Sequence, residues 1–171
     1  MYPAYKAHRD ETPEDIKKAV PIIKQMLDSM NVHRMEVAGM EADDVIGTLS
    51  QKAAAQGFDV FMVTPDKDYM QLVNDKVRTY KHARDSNGAE ILGVEEGCEI
   101  FSVESPHKVI DLLGLWGDAA DNIPGCPGIG EKRAKEIIGL YGSIENIYNH
   151  LDELKGKQKE NVIAFKDQIL L

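Results

Sequence analysis

Residues 58–64, Phe-Asp-Val-Phe-Met-Val-Thr, form an apolar run broken only by Asp59. A run of this kind predicts a strand covered by helices on both faces of a parallel sheet. It leads directly into Pro65-Asp66-Lys67-Asp68. In an open α/β sheet, ligands gather just beyond the carboxyl ends of the strands, and Asp66 and Asp68 fall there.

The surrounding pattern is that of an α/β chain. Thr12 reads as an N-cap ahead of Pro13, and Ile16, Val20, Ile23, Leu27 and Met30 follow at helical spacing, with a kink expected at Pro21. A short extended piece around residues 35–37 precedes a second helix, which opens near Glu41 and stops at Gly57. Further strands are predicted at about 77–81 and 90–92, joined by a turn at Asp85-Ser86-Asn87-Gly88. Ser105-Pro106 opens a helix through Leu115. From Gly125 onward the sequence reads as helices only, at roughly 130–140, 143–150 and 157–170.

The net charge of −9 argues at first against a nucleic-acid partner. Its distribution reverses that inference. Glu41, Asp43, Asp44, Asp66, Asp68, Asp118 and Asp121 fall in three short segments; without these seven, 22 acids remain against 20 bases. Asp43 and Asp44 open a helix expected to follow a strand, which places them at the same rim as Asp66 and Asp68. Asp118 and Asp121, three residues apart, share one side of a helical turn. Each group alone also reads as a helix cap or a solvated loop. Together they would repel one another unless cations sat among them, and hard divalent ions such as Mg²⁺ take oxygen ligands. Two such ions about 4 Å apart serve phosphodiester cleavage.

Gly128-Ile129-Gly130, just before a helix starting near Glu131, turns backbone N–H groups toward a positive helix end, where a phosphate oxygen can approach. Lys132, Arg133 and Lys135 add charge suited to gripping a nucleic-acid backbone without reading its sequence. An ordinary helix-turn-helix corner needs Gly and Pro too. Nothing resembles a base-reading recognition helix. Cys98 and Cys126 lack metal-ligand spacing, the five histidines form no pair, and no apolar run is long enough to span a membrane. The chain reads as soluble and intracellular.

MEADDVIGTLS (40–50), TPDKDYMQLV (64–73), DLLGLWGDAADNIPGCPGIGEKRA (111–134) and YGSIENIY (141–148) closely resemble the 5′-nuclease domains of bacterial DNA polymerases I, and more widely phage 5′-exonucleases and flap endonucleases. The resemblance covers almost the whole chain. It implies a PIN-like, Rossmann-like α/β core with a central, mostly parallel sheet over residues 1–121, followed by an all-helical helix-hairpin-helix region over 122–171. It implies Glu41, Asp43, Asp44, Asp66, Asp68, Asp118 and Asp121 as ligands of two Mg²⁺ or Mn²⁺ ions. Gly125, Gly128 and Gly130 match the hairpin, commonly built around a K⁺ ion. YKAHR (5–9) resembles the base of a helical arch, where Lys6 and Arg9 approach the scissile phosphate; without the resemblance both read as solvated charges. The implied substrate is DNA with a 5′ flap, nick or RNA primer, handled in the bacterial cytoplasm at the nucleoid.

Departures from the family pattern are Pro65, Trp116, Ala119-Ala120 and Arg133, none of which removes a ligand. Members of the family begin with roughly 70 to 80 further residues carrying a first strand and two more aspartates, and polymerase domains follow. The resemblance thus leads us to expect a fragment. A non-catalytic DNA-binding module stays open as the alternative.

Overall fold

The computed structural model describes residues 2–82 and 88–169. The expected turn at 85–88 lies outside the described residues, except for Gly88. Helix α1 (Glu14–Ser29) starts after Pro13, which holds the N-cap position in place of Thr12, and it continues through Pro21. No residue of α1 is buried, although Ile16, Val20 and Ile23 repeat at helical spacing. The segment after α1 has no regular secondary structure at residues 32–37, and the extended piece expected at 35–37 joins no described strand. Helix α2 (Ala42–Ala55) therefore follows a loop, and Gly57 ends it with a φ of +92° that only glycine adopts without strain.

Strand β1 (Val60–Val63) pairs parallel with β2 (Val77–His82), and β2 pairs antiparallel with β3 (Ala89–Leu92). This sheet is smaller than the sequence suggests. It is also open on one side: Met62 is buried, whereas Phe61 and Val63 are 48% and 74% exposed. The expectation of cover on both faces fails here because α2 packs on only one of them. After β1 the chain tightens into a 3-10 turn at Lys67–Leu72, and β3 leads into α3 (Val94–Phe101); neither was legible in the apolar pattern.

The helical third holds most of the core. Helix α4 (Val109–Trp116) contributes Val109, Leu112 and Leu115; α5 (Glu131–Tyr141) contributes Ala134, Ile137 and Ile138; α6 (Ile144–Asn149) contributes Ile144 and Ile147. Val162 of α7 (Gly156–Ala164) and Phe165 complete it, and a short α8 (Lys166–Ile169) follows. Each fully buried aliphatic side chain is worth about 1.5–3 kcal/mol relative to exposure. This core is continuous with Met62, Met70 and Val77 of the sheet side. The carboxyl end of β1 and the hairpin before α5 are thus held by one apolar cluster.

Two short strands link them. β4 (Gly117–Asp118) pairs antiparallel with β5 (Ile123–Pro124) across a single 3-10 turn. Gly117 has a φ of +80°, and a Cβ built there would lie 2.2 Å from Gly125 N. No described helix is long and apolar enough to cross a membrane.

Candidate active site

The acidic rim begins where β1 ends. Asp66 donates its N–H to Thr64 Oγ1 (3.1 Å) and its carboxylate accepts from Asp68 N (3.0 Å), which starts the 3-10 turn and directs Asp68 inward. Asp68 Oδ1 is buried and has no hydrogen-bond partner among the described residues. Burial, then the charge of Asp66, and more weakly those of Asp118 and Asp121, push the Asp68 carboxyl up to about 6 against the opposing pull of Lys67. A buried carboxylate oxygen facing three other acids is an arrangement a cation would stabilise. Asp118, at the end of β4, accepts from Ala120 N (2.9 Å), and Lys67 Nζ stands 3.7 Å from its other oxygen. That ammonium also lies 4.6 Å from the centre of the Trp116 ring, which keeps it beside the rim.

The start of α2 supplies a second group. Asp44 accepts from Glu41 N (3.0 Å), so it caps the helix. Asp43 Oδ1 accepts a 2.7 Å hydrogen bond from the buried Tyr69 hydroxyl. Asp43, Asp44, Asp68 and Tyr69 line one cleft of about 280 Å³.

The amino-terminal turns supply the cations. Lys6 N donates to Asp121 O (2.9 Å) and Asn122 Nδ2 to Ala4 O (2.7 Å), which docks residues 4–9 on the turn after β4. Lys6 Nζ lies 2.5 Å from Glu41 Oε2 and 3.8 Å from Asp121 Oδ2, and Arg9 pairs with Asp121 Oδ1. The Glu41 hydrogen bond raises the Lys6 ammonium well above its ordinary value, and Lys6 in turn lowers Glu41. Tyr5 bridges the pair, its hydroxyl 3.2 Å from Glu41 Oε2 and 3.3 Å from Asp121 Oδ2.

The structure therefore draws Glu41 and Asp121 together around Lys6, Arg9 and Tyr5, and sets Asp43, Asp44 and Asp68 along one cleft with Asp66 and Asp118 beside it. Among the described residues, no three acidic, histidine or cysteine side chains converge on one point at metal-holding distance. The donor set still suits a hard cation. It is all oxygen, it contains an orphaned buried atom, and Mg²⁺ needs only one or two carboxylates beside its waters. Sequence reasoning missed Tyr5, Lys67 and Tyr69. Each is the immediate neighbour of a residue it did single out, and that adjacency was the available signal.

A charge penalty at Asp68 has a measurable sign. A carboxyl whose pKa is higher folded than unfolded binds its proton more tightly in the fold, so its cost is absent below pH ~4 and complete above pH ~6. In EDTA, Asp68→Asn is expected to melt above wild type at pH 7–8 and to converge with it toward pH 4. A wild type that melts higher at pH 8 would refute the buried-charge assignment.

The hairpin stands at the other end of β5. Gly125 packs so closely on the junction of α4 and β4 that a Cβ would lie 2.0 Å from Trp116 O and 2.8 Å from Gly117 N; its lack of a side chain serves this contact, whatever else it binds. Gly128 has a φ of +76°, as a tight loop requires. Ile129 is 4% exposed and donates its N–H to Cys126 O (2.9 Å), so it anchors the loop in the core. Gly130 has an ordinary φ of −90° and open space around it, and its carbonyl accepts from Ala134 N to begin α5. The loop is braced by Asn161 of α7, which donates to Pro127 O (2.6 Å). Two of the three basic residues are engaged. Arg133 bonds Gln158 (2.8 Å) and Glu136, and Lys135 bonds Ile100 O (2.8 Å) and Glu131. Lys132 is exposed and makes no ion pair among the described residues.

An α/β core with carboxylates at its strand ends, joined to a helical hairpin region, is the architecture of the PIN-like nucleases. Family models agree: residues 1–101 match the 5′-3′ exonuclease N-terminal resolvase-like domain, and residues 104–171 match the 5′-3′ exonuclease C-terminal SAM fold. The chain belongs to the 5′-3′ exonuclease family. It is 38% identical to DNA polymerase I of Bacillus subtilis over 168 residues, 98% of this chain and 19% of that protein. It is 36% identical to the thermostable DNA polymerase I of Thermus thermophilus over 170 residues, 99% of this chain and 20% of that one. The chain thus spans about a fifth of these relatives. Among solved structures, T5 5′-exonuclease with bound zinc superposes with a TM-score of 0.79 at 25% identity, covering 98% of this chain and 65% of that one. The catalytic core of Rad2 shares the fold, with a TM-score of 0.57 at 17% identity.

Proposed function

We propose that this protein is a metal-dependent 5′-nuclease that hydrolyses phosphodiesters at the 5′ ends and flaps of branched DNA, including nicks and RNA primers. The observation that carries the reading is the buried, unpartnered Asp68 Oδ1 among Asp66, Asp118 and Asp121. Together with Glu41, Asp43 and Asp44, these residues would hold two Mg²⁺ or Mn²⁺ ions, whose chemistry is to activate water and to stabilise the leaving oxygen. Lys6 and Arg9 exchange their contacts with Glu41 and Asp121 for the scissile phosphate and offset charge developing on it. Gly128 and Gly130 offer their N–H groups to the duplex backbone, with a K⁺ ion as the loop's cation, and Lys132 adds the free charge. Residues 1–121 carry the chemistry in this scheme and residues 122–171 hold the duplex. The polymerase relatives, of which the chain spans about a fifth, support a parent chain that continues into polymerase domains; such a parent would work in the bacterial cytoplasm at the nucleoid. The same kinship favours the catalytic reading over a DNA-binding module alone.

A duplex with a 5′-labelled flap tests the proposal. With Mg²⁺ the protein is expected to release short labelled products, and EDTA is expected to stop release; tight binding of an uncut flap in Mg²⁺ would leave only the binding module.

Gly130→Val tests the hairpin separately. The extended backbone and open surroundings accept the side chain, so the fold should stand while the branched group blocks a phosphate. Duplex affinity is expected to fall about tenfold with a shallower salt dependence, as lost phosphate contacts require. Unchanged affinity and slope would make the loop a structural corner.

A further inference from the structure

We propose that Tyr69 is a positioning residue of the carboxylate centre, holding Asp43 by its hydroxyl so that Asp43 faces the same cleft as Asp68. The inference rests on the nuclease reading above and adds a residue to it. Tyr69 is 5% exposed, and its hydroxyl donates to Asp43 Oδ1 at 2.7 Å, the short distance of a hydrogen bond to a charged acceptor. A buried tyrosine hydroxyl needs a partner, and this one takes a carboxylate from another element, 26 positions earlier. Tyr69 directly follows Asp68 in the 3-10 turn, so the ring that orders Asp43 is carried on the backbone that orders Asp68. One oxygen of Asp43 is thereby occupied and its orientation set, while Asp43, Asp44, Asp68 and Tyr69 border a common cleft. The 3-10 turn and the first turn of α2 are fastened at the point where two of the three acidic segments meet. Fixing a ligand's orientation from behind is how outer groups tune a metal site.

The test is Mn²⁺ binding to the purified chain by isothermal titration calorimetry, for wild type, Tyr69→Phe, Asp43→Asn and the double variant. Tyr69→Phe keeps the buried ring and deletes only the hydroxyl, so the circular dichroism spectrum should match wild type. Its Mn²⁺ affinity is expected to fall about 10- to 100-fold, the usual loss for such a partner. In the Asp43→Asn background the same change is expected to add little, because the hydroxyl then positions an amide in place of the carboxylate that would hold the cation. Wild-type affinity in folded Tyr69→Phe, or an equal loss in both backgrounds, would overturn the positioning role and leave the nuclease reading intact. Absence of Mn²⁺ binding by wild type up to millimolar concentration would overturn both.

Discussion

Asp118→Asn is expected to slow cleavage of a 5′-flap duplex in Mg²⁺ by about 100- to 1000-fold, the scale seen when one group stabilising a transition state is lost. Duplex affinity should stay within a few-fold of wild type. The reason is geometric. Asp118 ends β4 and faces the rim with Lys67, whereas the hairpin loop begins beyond β5 and draws its surface from Gly128–Gly130 and Lys132. The substitution keeps an oxygen able to accept from Ala120 N, so the turn at residues 119–121 survives and only the charge is lost. Rate and affinity falling together would mean that the rim and the hairpin are not separable; an unchanged rate would remove Asp118 from the chemistry.

The largest effect on stability is expected from Gly117→Ala. Its φ of +80° is costly for any residue with a Cβ, and the added carbon would lie 2.2 Å from Gly125 N, 2.7 Å from Gly125 Cα and 2.7 Å from Ile123 O. All three are backbone atoms, so relief requires β4 and β5 to part. Strain and overpacking together are expected to cost about 3–5 kcal/mol. At this chain length that lowers the melting temperature by roughly 10 °C or more. Gly139→Ala is the control: a Cβ there meets nothing within 4 Å, and helix α5 should gain a few tenths to about 1 kcal/mol. Thermal melts of the two variants beside wild type decide the matter. A Gly117→Ala protein within 1 kcal/mol of wild type would show that the β4–β5 contact yields. The same contact explains why a glycine at position 125 has a structural duty before any role in DNA binding.

Much of this architecture was legible because it rests on local patterns. The apolar run at 58–64 made β1, the glycine at 57 marked the end of α2, and the pattern placed α4 to α7 within a few residues. What escaped depends on contacts between distant segments. The pattern Val-Phe-Met-Val cannot report that Phe61 and Val63 lack cover, since burial on each face is decided by which helix packs there. The 3-10 turn at 67–72 arises from the Asp66 carboxylate accepting from Asp68 N, a feature with no periodicity. Glu41, Asp43, Asp118 and Asp121 stood out as members of acidic clusters, but their partners Tyr5, Lys67 and Tyr69 emerge only when residues 4–9, α2 and the 3-10 turn are brought together. The three basic residues of α5 looked equivalent in sequence, yet Arg133 and Lys135 are tied to neighbours and Lys132 is not.

Anomalous diffraction from crystals soaked in Mn²⁺ shows whether the acidic rim binds cations. A peak is expected about 2.0–2.2 Å from a carboxylate oxygen of Asp68, with Asp118 or Asp43 adjacent, and it should be lost in Asp68→Asn crystals. Ordered crystals soaked in millimolar Mn²⁺ with no peak along Glu41, Asp43, Asp66, Asp68, Asp118 and Asp121 would contradict it.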